Sequence, residues 1–300
     1  MIKRTIVIEN ASYLSLRLNQ LVVRKEGESE EKSVPIEDIA VLILESQQIT
    51  ITNALLSTLL KEQVAVISCE ERHMPIGLWM PLEGNTLQSA RFQMQMEVSV
   101  PLKKQVWSQL IKSKIENQSE VLKYVGQNCE PLIRWAKEVR SGDPDNLEAR
   151  AASYYWRGLF GDMSFKRERF GEPPNHLLNY GYAILRAMVA RALVASGLMP
   201  TYGVHHRNQY NAYCLADDVM EPFRPFIDWH IIKIAENLDI PDELTRQWKI
   251  ELLKIPTLDI VIKGTKSPML VAISKISASL VKVYEGEVKK LDLPSFSNVF

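Results

Sequence analysis

The hydrophobic pattern changes its period partway along the chain, and this change limits the folds available to it. In the first part, apolar and polar residues alternate, with Leu14, Leu16 and Leu18 predicted on one strand face. A period of two is typical of strands with one buried face. Further on, apolar residues recur every three or four positions, as on amphipathic helices. The sequence therefore predicts an α+β protein, with a small N-terminal β-rich domain at residues 1–85 and a larger all-α domain at residues 86–300.

Apolar runs and their flanking turn residues predict the individual elements. Strands are predicted in the segments RTIVIEN, YLSLRLNQLVVRKEG, IAVLILES and VAVISC. Thr52 is a typical N-cap for the helix ALLSTLLKE, and Pro101 suits the first turn of a long helix. Further helices are predicted at residues 146–158, 175–196, 215–235, 241–253 and 268–286. The last segment, PSFSNVF, is typical of a frayed tail.

Composition and charge argue against several classes of protein. Basic and acidic residues number 36 each, so no net field indicates a nucleic-acid partner, and local patches would have to hold any polyanion. Cys69, Cys129 and Cys214 form no CxxC pair, which argues against a disulfide framework or a cysteine zinc site. No apolar run is long enough to predict a transmembrane helix. We therefore expect a cytoplasmic protein with no membrane partner.

The segment HHRNQYNAYCLADDVMEPFRP, residues 205–225, concentrates ionisable side chains beside apolar ones. On a helix, Glu221 shares a face with Asp217 or Asp218, since residues three or four apart lie on one side. The two prolines of the segment each remove a backbone donor, so the helix is expected to bend or begin here. A solvated acidic face and a metal site both explain such a run.

His205, His206 and Glu148 are the other candidates for chemistry. A loop histidine is most often a polar surface group, and adjacent histidines point apart in an extended chain, so at most one faces a common site. Glu148 lies near the start of a helix that Asp145 or Asn146 could cap. An acid in a first turn complements the helix dipole, and this alone explains the residue.

The remaining motifs indicate phosphate contacts rather than a standard hydrolase. In SFKRERF, Lys166, Arg167 and Arg169 lie between two phenylalanines. Such a loop can contact phosphates, although short basic runs are also common on protein surfaces. The sequence contains no P-loop, GxGxxG, HExxH, GxSxG or EF-hand motif. This argues against P-loop nucleotide hydrolysis, zincin proteolysis and serine esterase chemistry.

Four segments, taken together, resemble the CRISPR-associated integrase family, whose members insert new spacers into a CRISPR array. They are KIENQ at 114–118, NLEARAASYYW at 146–156, PPNHLLNYGYAIL at 173–185 and GVHHRNQYNAYCLADDVMEPFRP at 203–225. Their order and the β-then-helical layout match the family over nearly the whole chain, and the last segment is the most specific. The length of 300 residues and the HHRNQYN loop resemble members from type II systems.

The resemblance implies a metal centre in the helical domain, which would then be the catalytic domain. In the family, a glutamate on a long helix, a histidine after a glycine turn and an acidic helix residue bind a divalent ion. Here they match Glu148, His206 and Glu221. Asp218 matches a further acidic position of some members, and a one-place misalignment would exchange the roles of His205 and His206. Carboxylate oxygens and one imidazole suit Mg²⁺ or Mn²⁺.

The resemblance also implies the reaction and the partners. The 3′-hydroxyl of an incoming DNA end would attack a phosphodiester at the leader–repeat junction, and water in its place would give metal-dependent endonuclease activity. Candidates for holding double-stranded DNA are Lys166, Arg167, Arg169, Arg207 and Arg224. The family forms a homodimer through its β-rich domain and joins a small ferredoxin-like CRISPR adaptation subunit. Two rivals stay open: a catalytically silent DNA-binding scaffold, and a metal phosphohydrolase acting on small phosphodiesters.

Overall fold

The structure is a computed structural model that describes residues 4–28, 30–71, 73–160, 165–168 and 171–296. The chain forms two compact units, residues 1–86 and 87–300. The first is rich in strands and the second is mostly helical, so the predicted α+β layout is confirmed.

Strands and one helix build the described part of the first unit. They are β1 (Arg4–Ile8), β2 (Ser12–Arg17), β3 (Gln20–Lys25), β4 (Glu31–Pro35), β5 (Ile39–Leu44), β6 (Ile49–Ile51), α1 (Asn53–Lys61), β7 (Ala65–Cys69) and β8 (Pro75–Trp79). One sheet has the order β1-β5-β7-β8 and the other the order β4-β3-β2-β6. Strand β5 is buried along most of its length, because it pairs with β1 on one side and β7 on the other. Thr52 caps α1 as predicted, since its side chain accepts a hydrogen bond from Leu55 N.

The hairpin between β2 and β3 corrects one prediction. Leu18 was expected on the same face as Leu14, but it lies in the turn and is 90% exposed, whereas Leu14 is fully buried. Leu18 and Asn19 have φ values of 48° and 61°. Two successive residues with positive φ form a tight turn whose twist matches that of the flanking strands. The alternation of the strand therefore ends at Arg17.

Helices dominate the second unit. They are α2 (Gln88–Glu97), α3 (Val100–Tyr124), α4 (Glu130–Glu138), α5 (Leu147–Phe160), α6 (Asn175–Ala195), α7 (Cys214–Met220), α8 (Arg224–Ala235), α9 (Arg246–Leu252) and α10 (Met269–Tyr284). The predicted helix 215–235 is broken at Glu221–Phe223 by a 3-10 turn that contains Pro222. The predicted helix 241–253 begins only at Arg246, because Thr245 accepts a hydrogen bond from Trp248 N and caps α9. Helices α2 and α4 were not predicted.

The core of the second unit includes α3 and α6. The inward face of α3 carries Val106, Leu110 and Ile111, all fully buried. Helix α6 is long and apolar enough to cross a membrane, but 72% of its most apolar window is buried inside the protein. Such burial is typical of a core helix in a globular unit.

The end of the chain corrects another prediction. Pro294 and Ser295 form strand β11, which pairs with β9 (Asp259–Ile262) in the sheet β10-β9-β11; strand β10 is Thr265–Pro268. Phe296 is buried, and its ring stacks on Phe226 with a centroid distance of 3.9 Å. Residues 294–296 are therefore not a frayed tail but part of the core, and the rest of the segment PSFSNVF lies outside the described residues.

Candidate functional site

Lys114 of α3 joins the two glutamates that the sequence singled out. Its Nζ lies 2.7 Å from Oε1 of Glu148 and 2.5 Å from Oε2 of Glu221. The Glu148 contact is a hydrogen bond, and the Glu221 contact is a close ion pair. The side chains of Lys114 and Glu221 are only 9% and 5% exposed. One ammonium thus holds together side chains that are distant in sequence.

The charges in this cluster stabilise one another against the cost of burial. Burial lowers the pKa of Lys114, but attraction to Glu221 and Glu148 outweighs it, so the pKa is raised. Burial likewise raises the pKa of Glu221, but Arg224 and Lys114 outweigh it and the pKa is lowered. Nε of Arg224 lies 2.9 Å from Oε1 of Glu221. A buried charge is tolerated only when it is paired in this way.

The start of α5 places Glu148. The carboxylate of Asp143 accepts hydrogen bonds from the backbone N–H groups of Leu147, at 3.0 Å, and Glu148, at 2.9 Å. The predicted caps, Asp145 and Asn146, do not serve this function: Asp145 pairs with an arginine, and Asn146 has a φ of 50°. Asp143 forms the cap instead, from a turn in which both Asp143 and Asn146 have positive φ values.

A 3-10 turn places Glu221. Pro222 follows Glu221 directly and ends α7, because proline cannot continue a helix without loss of a hydrogen bond. The side-chain amide of Asn117, on α3, donates to the carbonyl of Pro222 at 2.9 Å and to that of Pro294 at 3.1 Å. Asn117 therefore ties the turn of Glu221 to the helix of Lys114 and to the end of the chain.

His206 is held by Asp218. Nδ1 of His206 lies 2.5 Å from Oδ1 of Asp218, and the carboxylate also accepts hydrogen bonds from the backbone N–H groups of Val204, His205 and His206. Hydrogen bonding to Asp218 raises the pKa of His206 above its ordinary value and outweighs the effect of burial. Glu221 and Glu148 act in the same direction. The negative charges of Glu221 and Glu148 therefore act on the His206 imidazole.

Gly203 permits this arrangement. A Cβ atom at Gly203 would lie 2.5 Å from the carbonyl oxygen of His206 and 2.8 Å from Oδ2 of Asp218. Both distances are far below van der Waals contact, so any other residue would push the loop away from Asp218. This explains a glycine three residues before the histidine.

His205 packs against Trp107. Its ring stacks on Trp107 with a centroid distance of 4.0 Å and an interplanar angle of 3°. The ring of His206 meets the same tryptophan edge-on. Burial lowers the pKa of His205, as does repulsion from His206. The two histidine rings therefore lie beside each other against Trp107, with centroids 5.4 Å apart, rather than pointing apart as expected.

The candidate DNA-binding residues have different surroundings. Lys166 and Arg207 are exposed. Arg167 donates to Oδ1 of Asn175 at 2.9 Å and to Oδ1 of Asn179 at 2.7 Å. The guanidinium of Arg167 is therefore engaged in hydrogen bonds within the protein.

Arg224, another candidate, is paired with Glu221 and stacked over Tyr182 with its Cζ 4.8 Å from the ring centroid. Arg169 lies outside the described residues. Of the candidates that the structure describes, Lys166 and Arg207 are the ones placed to meet a phosphate from solvent.

The donor groups fit a hard or borderline divalent ion. Glu148 and Glu221 provide carboxylate oxygens, and His206 has one ring nitrogen occupied by Asp218 and the other, Nε2, left to bind. This is the oxygen-rich set that Mg²⁺ and Mn²⁺ accept. In the described part of the chain, no three acidic, histidine or cysteine side chains are arranged as a ready metal cage. Instead, the ammonium of Lys114 lies between the two glutamates.

Sequence reasoning missed Lys114 and Asn117 as parts of the site. Both lie on α3, in the segment KIENQ. The available signal was their spacing: Lys114 follows the buried Ile111 by three residues, and Gln118 follows Lys114 by four, so a lysine occupies the buried stripe. A lysine in such a stripe requires a buried counter-charge.

Comparisons with known proteins give a consistent result. The family model described as CRISPR associated protein Cas1 matches residues 5–253. The CRISPR-associated endonuclease Cas1 of Neisseria meningitidis serogroup C (strain 8013) is 38% identical over 294 residues, which are 97% of this chain and 95% of that protein.

Solved structures share the fold at lower identity. A casposase bound to integration product superposes with a TM-score of 0.78 at 20% identity, covering 97% of this chain and 93% of its own. A chain of a Cas6-RT-Cas1–Cas2 complex superposes with a TM-score of 0.71 at 17% identity, covering 97% of this chain and 36% of its own.

Proposed function

The chain belongs to the CRISPR-associated Cas1 family, and we propose that it is a metal-dependent DNA integrase and endonuclease that inserts new spacers into a CRISPR array. The family membership confirms the resemblance that the sequence segments indicated. The reaction proposed is attack of a DNA 3′-hydroxyl on a phosphodiester at the leader–repeat junction. With water as the nucleophile, the same site would cut DNA.

The observation that carries this proposal is the meeting of Glu148 and Glu221 around one buried cation. Each comes from a different helix end, and structural stability alone does not require this, since a buried ion pair rarely stabilises more than apolar packing would. An oxygen-rich pair beside a positioned histidine is instead suited to binding a cation that acts on phosphate.

Glu148, His206 and Glu221 are the residues proposed to hold Mg²⁺ or Mn²⁺. When bound, the ion would supply Lewis-acid stabilisation of a phosphoryl oxygen. Asp218 orients His206, because a hydrogen bond to Nδ1 selects the ring nitrogen available to a ligand. Trp107 supports His205, which would face the DNA beside the ion.

Double-stranded DNA is the proposed partner, both as the incoming end and as the target array. Lys166 and Arg207 are exposed and would contact its backbone, where cationic side chains position a protein without reading sequence. Because the chain has no net charge, these contacts would have to be local or shared across an assembly. We place the protein in the cytoplasm, as a homodimer through its β-rich unit, joined to a ferredoxin-like subunit of the Cas2 type.

Strand joining tests this proposal. Labelled duplex ends would be incubated with a supercoiled plasmid containing the array, with Mn²⁺ or with EDTA. We expect joined product with Mn²⁺ and none with EDTA. A silent scaffold would bind DNA in both conditions without joining, and a small-substrate phosphohydrolase would cleave a model phosphodiester without joining DNA.

Variants of the proposed ligands sharpen the assay. Glu148→Ala, His206→Ala and Glu221→Ala are each expected to abolish joining while the protein stays folded. Glu116→Ala is a matched control, because Glu116 is a glutamate of the same unit that pairs with Lys112 at the surface of α3. Retained joining by folded Glu221→Ala protein would contradict the assignment.

A further inference from the structure

We infer that Lys114 is a built-in substitute for the metal ion: its ammonium holds Glu148 and Glu221 together in the metal-free protein and is displaced when a divalent ion binds. The inference rests on the proposed function of the site. It assigns Lys114 as a positioning residue that sets the affinity of the site for its ion.

The contacts define the competition. Nζ of Lys114 lies 2.7 Å from Oε1 of Glu148 and 2.5 Å from Oε2 of Glu221. A divalent ion bound by both carboxylates would occupy the space between the same two groups. The ammonium and a metal ion held between the two glutamates would compete for the same space and the same carboxylate lone pairs, so the ion is expected to displace Lys114.

The charge balance leads to the same conclusion. In the metal-free protein, the carboxylates of Glu148 and Glu221 face the cations of Lys114 and Arg224. The cluster is therefore neutral as it stands. A divalent ion added with both cations in place would leave an excess of positive charge among groups shielded from water, where repulsion is strong. Withdrawal of the Lys114 ammonium halves this excess.

Lys114 is better suited to leave than Arg224. A lysine carries its charge on a flexible four-carbon stem, whereas the planar guanidinium of Arg224 is also stacked over Tyr182. Lys114 has no aromatic contact of this kind among those that the structure describes. Lys103, three turns earlier on the same helix, has one: its Nζ lies 4.4 Å from the centroid of the Tyr202 ring.

Removing the ammonium should tighten metal binding. While Lys114 occupies the carboxylates, only those molecules in which it has withdrawn can accept an ion. The apparent affinity is therefore the intrinsic affinity multiplied by the fraction of such molecules. Lys114→Met keeps the aliphatic length of the side chain and removes its charge. Without the ammonium, the two carboxylates face Arg224 alone and carry an excess of negative charge, which attracts a divalent ion.

Calorimetric titration of Mn²⁺ into the full-length protein tests the inference, with thermal melting in EDTA and in Mn²⁺ as a second readout. We expect Lys114→Met to bind Mn²⁺ about tenfold more tightly than the wild type, or better. We also expect the variant to have a lower melting temperature than the wild type in EDTA, and Mn²⁺ to raise its melting temperature by more. Lys103→Met is the matched control: it removes a buried lysine of the same helix away from the carboxylates and should leave Mn²⁺ affinity unchanged.

The possible results separate the two proposals. If the wild type binds Mn²⁺ and Lys114→Met binds it no more tightly, the role inferred for Lys114 is wrong, and the proposed function still stands. Absence of Mn²⁺ binding in both proteins overturns both. If Lys114→Met does not fold, Lys114→Gln, which keeps a donor for Glu148, carries the same expectation of tighter binding and the same contrary results.

Discussion

Nδ1 of His206 lies 2.5 Å from Oδ1 of Asp218, so the imidazole is oriented with Nε2 as the nitrogen available to a ligand. The same carboxylate accepts hydrogen bonds from three successive backbone N–H groups of the loop. Asp218 therefore sets both the path of the loop and the direction of the ring. An acid that orients a histidine in this way is typical of metal sites.

Asp218→Asn should weaken metal binding and strand joining by roughly 10-fold to 100-fold, because the amide no longer fixes the ring as a carboxylate does. Titration of Mn²⁺ and the joining assay measure the two effects. Asp217→Asn is the matched control, since Asp217 is the preceding residue of α7 and its carboxylate pairs with Arg186 instead. Equal losses in the two variants would show that Asp218 acts only on folding.

Gly203→Ala should lower both stability and activity. Its Cβ would meet the His206 carbonyl and the Asp218 carboxylate, so the loop must shift at a cost of about 1–3 kcal/mol. Chemical denaturation measures the loss, and the joining assay reports the displaced histidine. An Ala variant as stable and active as the wild type would show that the loop tolerates a side chain at this position.

Phe296→Ala should destabilise the helical unit by about 3–5 kcal/mol, because it removes a buried ring stacked on Phe226. Urea denaturation followed by tryptophan fluorescence measures the change. A loss well below 1 kcal/mol would instead indicate that the end of the chain is dispensable to the core.

Asp228 should make stability depend on pH. Burial raises its pKa from 3.8 to about 6, although the hydroxyls of Tyr182 and Tyr155 both donate to its carboxylate. The folded protein therefore binds this proton more tightly than the unfolded chain. The stabilisation is complete below pH 3.8 and is lost as the pH rises through about 6.

Asp228→Asn removes this dependence. We expect the difference in unfolding free energy between wild type and variant to change by up to about 3 kcal/mol between a pH well below 3.8 and a pH well above 6, in the direction that favours the wild type at the acidic end. Denaturation at a series of pH values measures it. Parallel stability curves for the two proteins would contradict a raised pKa at Asp228.

Local signals predicted much of the fold and of the site. The change of hydrophobic period predicted the two parts of the chain, and Thr52 caps α1 as its sequence position indicated. Glu148 and Glu221 were singled out by their segments, and the structure brings both to one ammonium. Such features depend on residues close together in sequence or on motifs that can be matched directly.

Contacts between distant segments were not predictable in the same way. Asp143 caps α5 from a turn in which Asp143 and Asn146 both have positive φ values, and no periodicity signals such a turn. Phe296 is buried directly after strand β11, which pairs with β9 about 30 residues upstream. Lys114 was missed because charged residues are expected at the surface unless paired, and its partners lie on other helices. The misses at Phe296 and Lys114 concern partners that the local sequence does not contain.

The central claim is that Glu148, His206 and Glu221 bind one divalent ion. Anomalous diffraction from crystals grown with Mn²⁺ tests it most directly, because manganese scatters anomalously and its position needs no chemical assumption. We predict one strong peak within bonding distance of both carboxylates and of Nε2 of His206, with Lys114 turned away. A protein that joins DNA strands with Mn²⁺ yet binds the ion elsewhere, or keeps Lys114 between empty carboxylates, would contradict the account.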